Sequence, residues 1–227
     1  MIFLVTYKRP LLAQRFIDAA VATGMTSPGV MLVQGDDRGY GFALPKGWSK
    51  GVAATNLGLI KGLNSCFAQH RDAPWFGLVA DDLVPETQDW DMRLLEQLHP
   101  MGIVSCNDAN RPFAGGRVCG ATFLDGDLVR SQGFIGPPCC WHSFTDDWLE
   151  LVGRTFPCLN RVADVVVRHE TPVFGDRPPD ETHHAAYGAD QNMSLLRQDE
   201  SRYRAWLQLD GMAAIGRIAV ARSIKRA

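Results

Sequence analysis

Short apolar runs rich in β-formers alternate with segments of helical spacing through the first half of the chain. This alternation constrains the fold most, because it calls for mostly parallel strands with helices crossing back over the sheet. Residues 2–6 form the first run. Leu11, Leu12, Phe16, Ile17 and Ala20 then recur at helical spacing until Gly24 stops the helix. Val30 to Gln34 reads as a second strand, and residues 50–69 as a helix through Val52, Leu57, Ile60, Leu63 and Phe67. Pro74 opens a third strand, Trp75 to Ala80, and a helix over Trp90 to Leu98 leads to a strand over Ile103 to Cys106. Further on, Val118 to Leu124 and Val162 to Val167 read as strands with a helix from about Asp146 to Arg154 between them. Residues 188–209 and 211–226 read as closing helices. The expected class is α/β, a mostly parallel central sheet flanked by helices.

Composition favours no charged partner in bulk and leaves room for a local basic patch. With 23 Lys and Arg against 25 Asp and Glu, the formal net charge is -2, so no bulk attraction to nucleic acid or anionic membrane is written into the chain. No run approaches the ~18 apolar residues of a membrane span. The apolar start, Met1 to Val5, is too short for a signal peptide and its positive charges follow it, so a cytoplasmic location is expected. Six cysteines without a Cys-x-x-Cys pair read as reduced core thiols.

The third strand ends directly in Asp81-Asp82, followed by the acidic, aromatic helix start Asp89-Trp90-Asp91. In open α/β sheets ligands bind beyond the carboxyl ends of the strands, so chemistry is expected there. Three further segments accompany the acids: Val33-Gln34-Gly35-Asp36-Asp37 after strand two, Ala54-Thr55-Asn56-Leu57-Gly58, and Phe144-Thr145-Asp146-Asp147-Trp148-Leu149. A late apolar strand ends in Arg168-His169.

In the order of these segments the chain resembles, over nearly its whole length, the nucleotide-sugar-dependent glycosyltransferases of the GT-A type. The likeness is greatest to the inverting family 2-like enzymes and their compact bacterial and phage versions. Val5-Thr6-Tyr7-Lys8-Arg9-Pro10 is similar to the family's first strand and nucleotide loop, and Asp81-Asp82 stands where the family has its Asp-x-Asp metal motif. The resemblance implies one GT-A-like, Rossmann-like domain over residues 1–227, with a donor half over about 1–110 and an acceptor half over about 111–227. It implies metal-dependent, inverting transfer of a sugar from a UDP-sugar, GDP or dTDP donors remaining open.

Leaving diphosphate needs a divalent cation as Lewis acid, and a carboxylate, an imidazole and phosphate oxygens suit Mn2+, or Mg2+ in its place. Asp82 and His169 are the expected ligands, with Asp81 reaching the ribose hydroxyls or a metal-bound water. Thr6 and Arg9 would border the base and the diphosphate, Asn56 would lie beside the donor, and Asp36 or Asp37 would accept the N3 proton of uracil. Inversion requires a base opposite the leaving group. Asp147 is the first candidate and Asp146 the reserve.

The Gly- and Pro-rich loop Gly133 to Trp141 suits an acceptor wall carrying Phe134 and Trp141, with His142, His183 and Tyr187 as acceptor-side residues. The acceptor is either a surface glycan or a hydroxymethylated pyrimidine in DNA. For DNA, phosphate contacts would fall to Arg197, Arg202, Arg204, Arg217, Arg222, Lys225 and Arg226. The non-enzyme alternative is a nucleotide-sugar-binding protein without turnover, and the oligomeric state is left open.

Overall fold

The computed structural model describes residues 1–36, 38–109, 118, 120–172, 175–181, 183–184 and 194–226. The first apolar run is β1 (Ile2–Tyr7), followed by α1 (Pro10–Ala22), β2 (Gly29–Gln34) and β3 (Trp48–Ala53). Then come α2 (Leu59–Gln69), β4 (Trp75–Val79), β5 (Leu83–Pro85), α3 (Trp90–Glu96) and β6 (Ile103–Asn107). The second half contributes β7 (Thr122–Asp125), α4 (Gly126–Gln132), α5 (Thr145–Thr155) and β8 (Leu159–His169). A helix α6 (Ser194–Trp206), a π-helical turn (Leu207–Gly211) and α7 (Met212–Arg226) close the described chain.

The strands lie in the order β3-β2-β1-β4-β7-β6-β8-β5. The first four run parallel, β7 is antiparallel to both neighbours, β6 and β8 are parallel, and β5 returns antiparallel on β8. The chain thus winds one way from β1 to β2 and β3 and the other way to β4. This reversal opens a crevice beyond the carboxyl ends of β1 and β4.

Period-two alternation divides the core. Phe3, Val5, Val30, Leu32, Phe76 and Leu78 pack with α2, α4 and α5 on one face, joined by Tyr203, Ala214 and Ile218 of the closing helices. Ile2, Leu4, Met31 and Val33 face the other way, onto Phe16 and Ile17 of α1 and Trp90 and Leu94 of α3. Helices therefore cover both faces, as the alternation requires, and the described cysteines Cys66, Cys106, Cys139, Cys140 and Cys158 are free thiols. No helix among the described residues is long and apolar enough to cross a membrane.

Four elements differ from the sequence expectation. Residues 48–53 form an edge strand in register with β2, Gly29 opposite Trp48 and Gln34 opposite Ala53, and the helix expected over 50–69 starts only at Leu59. Gly58, at φ +79°, breaks the helical path between them. The two-residue period is blurred in β3, where the neighbouring Ser49 and Lys50 are both exposed, as is Val52. Helix α4 was not expected; its start is set by Asp125, whose carboxylate accepts from the amides of Asp127 and Leu128. Strand β5 is too short to carry a pattern, and β8 runs beyond the Val162 to Val167 core at both ends. The first residues of the helix expected over 188–209 lie outside the described residues, as does Cys119.

Candidate active site

The crevice beyond β1 and β4 is a cleft of about 240 Å³ lined by Thr6, Arg9, Asn56, Asp81, Asp82 and His169 among others. Two strand ends supply its centre. Thr6, at the end of β1, donates from Oγ1 to Asp81 Oδ2 at 2.7 Å and lies 3.1 Å from the Tyr40 hydroxyl. That hydroxyl in turn accepts from the Arg9 amide at 2.8 Å. The Arg9 guanidinium closes the ring, Nη1 lying 3.2 Å from Asp81 Oδ1 and 3.6 Å from Asp82 Oδ2.

Strand pairing brings the other half of the site. In the β5–β8 ladder Leu83 lies opposite His169, and the Glu170 amide donates to the Asp82 carbonyl at 2.9 Å. Asp82 and His169, far apart along the chain, therefore meet, Asp82 Oδ1 lying 3.2 Å from Nε2 of His169. On its other side His169 Nδ1 is 3.7 Å from the fully buried Asp108, whose Oδ1 accepts from the His169 amide at 3.4 Å. Burial alone would lower the His169 pKa, but Asp108 and Asp82 outweigh it and push it up to about 9. Burial and the charge of Asp82 hold Asp81 above the ordinary carboxylate range despite Arg9. Burial also opposes the charge of Asp82, yet His169, Arg9 and Arg177 keep its pKa low.

Among the described residues no three His, Cys, Asp or Glu side chains form a metal cage. Asp82 Oδ1 and His169 Nε2 do form a pair at 3.2 Å, close to the ~3 Å edge between neighbouring ligands of an octahedral ion with ~2.1 Å bonds. The donor set, one carboxylate and one imidazole, fits a divalent cation that takes its remaining positions from ligand and water oxygens.

A second compartment, of about 220 Å³, shares Leu59, Ala80, His142 and His169 with the first and is also lined by Thr145 and Asp146. Asp146 and Asp147 open α5 as expected, but Asp147 does not line this compartment. Trp141 lines the first compartment and His142 lines both, while Phe134 packs in the core against Trp148 and Trp206. Burial and the charge of Arg9 lower the His142 pKa.

Asn56 lines the cleft and accepts from the Gly58 amide at 2.9 Å. Asp36 is held by Arg38, whose Nε lies 2.5 Å from it, and does not line the cleft. Asp37 lies outside the described residues, as does Tyr187. His183 lines the cleft.

Several residues were not singled out from sequence. Gln34 accepts from the Leu57 amide at 2.6 Å and donates to the Gly58 carbonyl at 3.1 Å, fixing the entry to α2; an amide ending an apolar strand was its one local signal. Tyr40, Asp108, Arg177, Asp180 and Asp199 had none.

A fold with this strand order, helices on both faces and an acid pair beyond β4 is the GT-A-type fold of nucleotide-sugar glycosyltransferases, and the chain has it. Solved structures agree. A mannosyltransferase from Pyrobaculum calidifontis, in complex with GDP-Man and Mn2+, superposes at TM-score 0.63 with 14% identity over 98% of this chain and 73% of that one. Glucosyl-3-phosphoglycerate synthase from Mycobacterium tuberculosis, with Mn2+, UDP and phosphoglyceric acid, gives 0.59 with 14% identity over 88% and 77%. The catalytic domain of Drosophila β1,4-galactosyltransferase 7, with xylobiose, gives 0.51 with 12% identity over 79% and 73%. No protein-family model matches the sequence, and no curated protein matches it.

Proposed function

We propose that the protein is a metal-dependent glycosyltransferase that moves a sugar from a nucleoside diphosphate sugar to an acceptor hydroxyl with inversion. The observation that carries this reading is the meeting of Asp82 and His169 at a strand-end cleft, beside the Thr6–Asp81–Arg9 ring. Mn2+ and nucleotide or nucleotide-sugar ligands in the structures of similar fold support it.

In this reading Asp82 and His169 hold the cation, Mn2+ or Mg2+. A cation held there would supply Lewis-acid stabilisation of the departing diphosphate. Asp81, braced by Thr6, faces the ribose hydroxyls, Asn56 lies beside the donor, and Arg9 offsets charge on the diphosphate. Asp36, turned to Arg38, lends no support to reading uracil, so UDP and GDP stand level as donors. The donor half, about 1–110, supplies most of the first compartment, with Trp141, His142, His169 and Arg177 from the half after it, and that second half supplies most of the acceptor wall.

Asp146 is the base: it takes the proton from the acceptor hydroxyl as that oxygen bonds to the anomeric carbon and the bond to the diphosphate oxygen breaks. The second compartment favours Asp146 over Asp147, the reverse of the sequence ranking. The acceptor we favour is a glycan hydroxyl. Four of the residues that would serve a DNA acceptor have partners within the chain: Arg217 donates to the Gln132 carbonyl, Arg222 to that of Met101, Lys225 pairs with Asp127 and Arg204 with Glu200.

The test is turnover of UDP- and GDP-sugars with Mn2+ over an acceptor panel that includes hydroxymethylated DNA, with the product's anomeric configuration read by NMR. Inverted product, and loss of at least about a hundredfold in kcat for Asp146→Asn but not Asp147→Asn, is expected. Retained configuration sinks the base role. Binding without turnover for every donor and acceptor leaves the non-enzyme alternative.

A further inference from the structure

Two arginines converge in the mouth of the cleft, and one carboxylate sits between them. Arg9, from the turn after β1, and Arg177, beyond β8, are each only 13% exposed at the side chain. Both reach inward to Asp82 Oδ2, at 3.6 and 3.2 Å. Their other nitrogens point outward to Asp180, Arg9 Nη2 lying 2.9 Å from Oδ1 and Arg177 Nη1 2.7 Å from Oδ2.

The arginines are anchored without Asp180. Arg177 Nε donates to the Glu170 carbonyl at 2.9 Å, and Arg9 is held by Asp81. Asp180 differs from the acids beneath it: its side chain is 33% exposed, against 6% and 10% for Asp81 and Asp82. It is the outermost anion of the cluster; its Oδ1 also accepts from the His183 amide at 2.8 Å, a bond that a turn into water would exchange for one to solvent.

A carboxylate spanning two fixed guanidiniums and open to solvent on its far side is an anion site filled by the chain's own anion. We propose that Arg9 and Arg177 form a diphosphate-binding site that Asp180 occupies in the unliganded protein, so that an incoming diphosphate competes with Asp180 for the two guanidiniums. Two phosphoryl groups match two guanidiniums, beside the Asp82–His169 pair. The choice of a diphosphate rests on the donor reading above, whereas the competition itself does not. Exchange of one bridging anion for another keeps the pair neutralised throughout, and the intramolecular competitor lowers apparent affinity by the fraction of molecules in which it is displaced.

The probe is inorganic pyrophosphate, titrated calorimetrically into the full chain without metal and then with Mn2+. Asp180→Asn keeps the shape and removes the charge, and Asp180→Ala removes the bridge altogether. With the competitor gone, both bind pyrophosphate tighter than wild type by at least about threefold. Arg177→Gln, carrying Asp180, binds it weaker, and Asp180→Asn combined with Arg177→Gln loses the gain. Unchanged or weaker binding by either folded Asp180 variant overturns the proposal. Should a variant fail to fold, undiminished binding by Arg177→Gln overturns it equally. Tightened pyrophosphate binding without any sugar transfer would uphold the anion site and sink the glycosyltransferase reading alone.

Discussion

Asp199 is fully buried in α6, and its carboxylate accepts from three successive amides, those of Trp141, His142 and Ser143, at 2.8, 2.8 and 3.0 Å. It thereby fixes the backbone that carries Trp141 and His142 into the lining of the cleft. Asp199→Ala strands these amides in the interior and should cost about 3 kcal/mol, with Asp199→Asn losing less because one oxygen remains to accept. Urea midpoints at constant m-value measure both, and a loss below about 1 kcal/mol for the alanine variant would contradict the bracing role. Asp180 gives a pH signature. Burial opposes its charge, but hydrogen bonds from Arg9, the His183 amide and Arg177 outweigh that and hold its pKa at about 2. A carboxylate depressed from 3.8 stabilises the fold above that pH and loses its contribution as pH falls toward 2. Asp180→Asn should therefore be less stable than wild type at pH 7, with the gap closing between about pH 4 and pH 2; a pH-independent gap would show that the charge is not what matters. The legible residues were those at or just beyond strand ends, Thr6, Arg9, Asp81, Asp82 and His169. The pairings that hold the site were not, because Arg9 and Asp180 lie 171 positions apart and Asp199 reaches back 58 to Trp141. No local pattern records such pairings.

At the level of elements, strands with a buried face could be read from sequence and edge strands could not. β1, β2 and β4 are apolar on both faces because helices cover both, so their runs stand out. β3 lies at an edge, with Ser49, Lys50 and Val52 exposed, and its few apolar residues were absorbed into the helical spacing of α2. What separates the two elements is Gly58. Its φ of +79° suits glycine, and a Cβ there would lie 2.6 Å from the Trp141 carbonyl oxygen and 2.7 Å from its ring. The Ile60 amide donates to the same carbonyl at 3.2 Å, so the start of α2 and the compartment wall are one joint. Gly58→Ala should destabilise by about 2 kcal/mol or more and displace Trp141. Denaturant midpoints and the near-UV dichroism of the tryptophans follow the two effects, and a variant as stable as wild type would mean that the joint yields freely. The short β5 shows the opposite case: without a readable pattern of its own, it fixes the site through its register on β8, which sets Leu83 against His169.

Across the whole molecule, the reversal of strand order at β1 places Thr6 of β1 and the acids beyond β4 at one rim, and β8, added at the far side, brings His169 back to them through β5. The centre therefore joins segments from both halves of the chain and exists only when the entire sheet is formed. A ligand that binds there stabilises the whole fold by mass action. UDP or GDP at about a hundred times its Kd is worth about 2.7 kcal/mol, and in a domain of this length each kcal/mol moves Tm by about 2–4 °C. With Mn2+ present, one of the two nucleotides should raise Tm by about 5–10 °C, and EDTA should abolish the increment. Asp82→Ala removes a carboxylate from among Arg9, Arg177 and His169 and so shifts the starting Tm itself. The quantity to compare is therefore the nucleotide-induced increment within each variant, which should fall below about 1 °C without Asp82. A wild-type increment indifferent to EDTA, or one that survives in Asp82→Ala, would place nucleotide binding elsewhere than the Asp82–His169 pair, even though the sheet that presents the pair is intact.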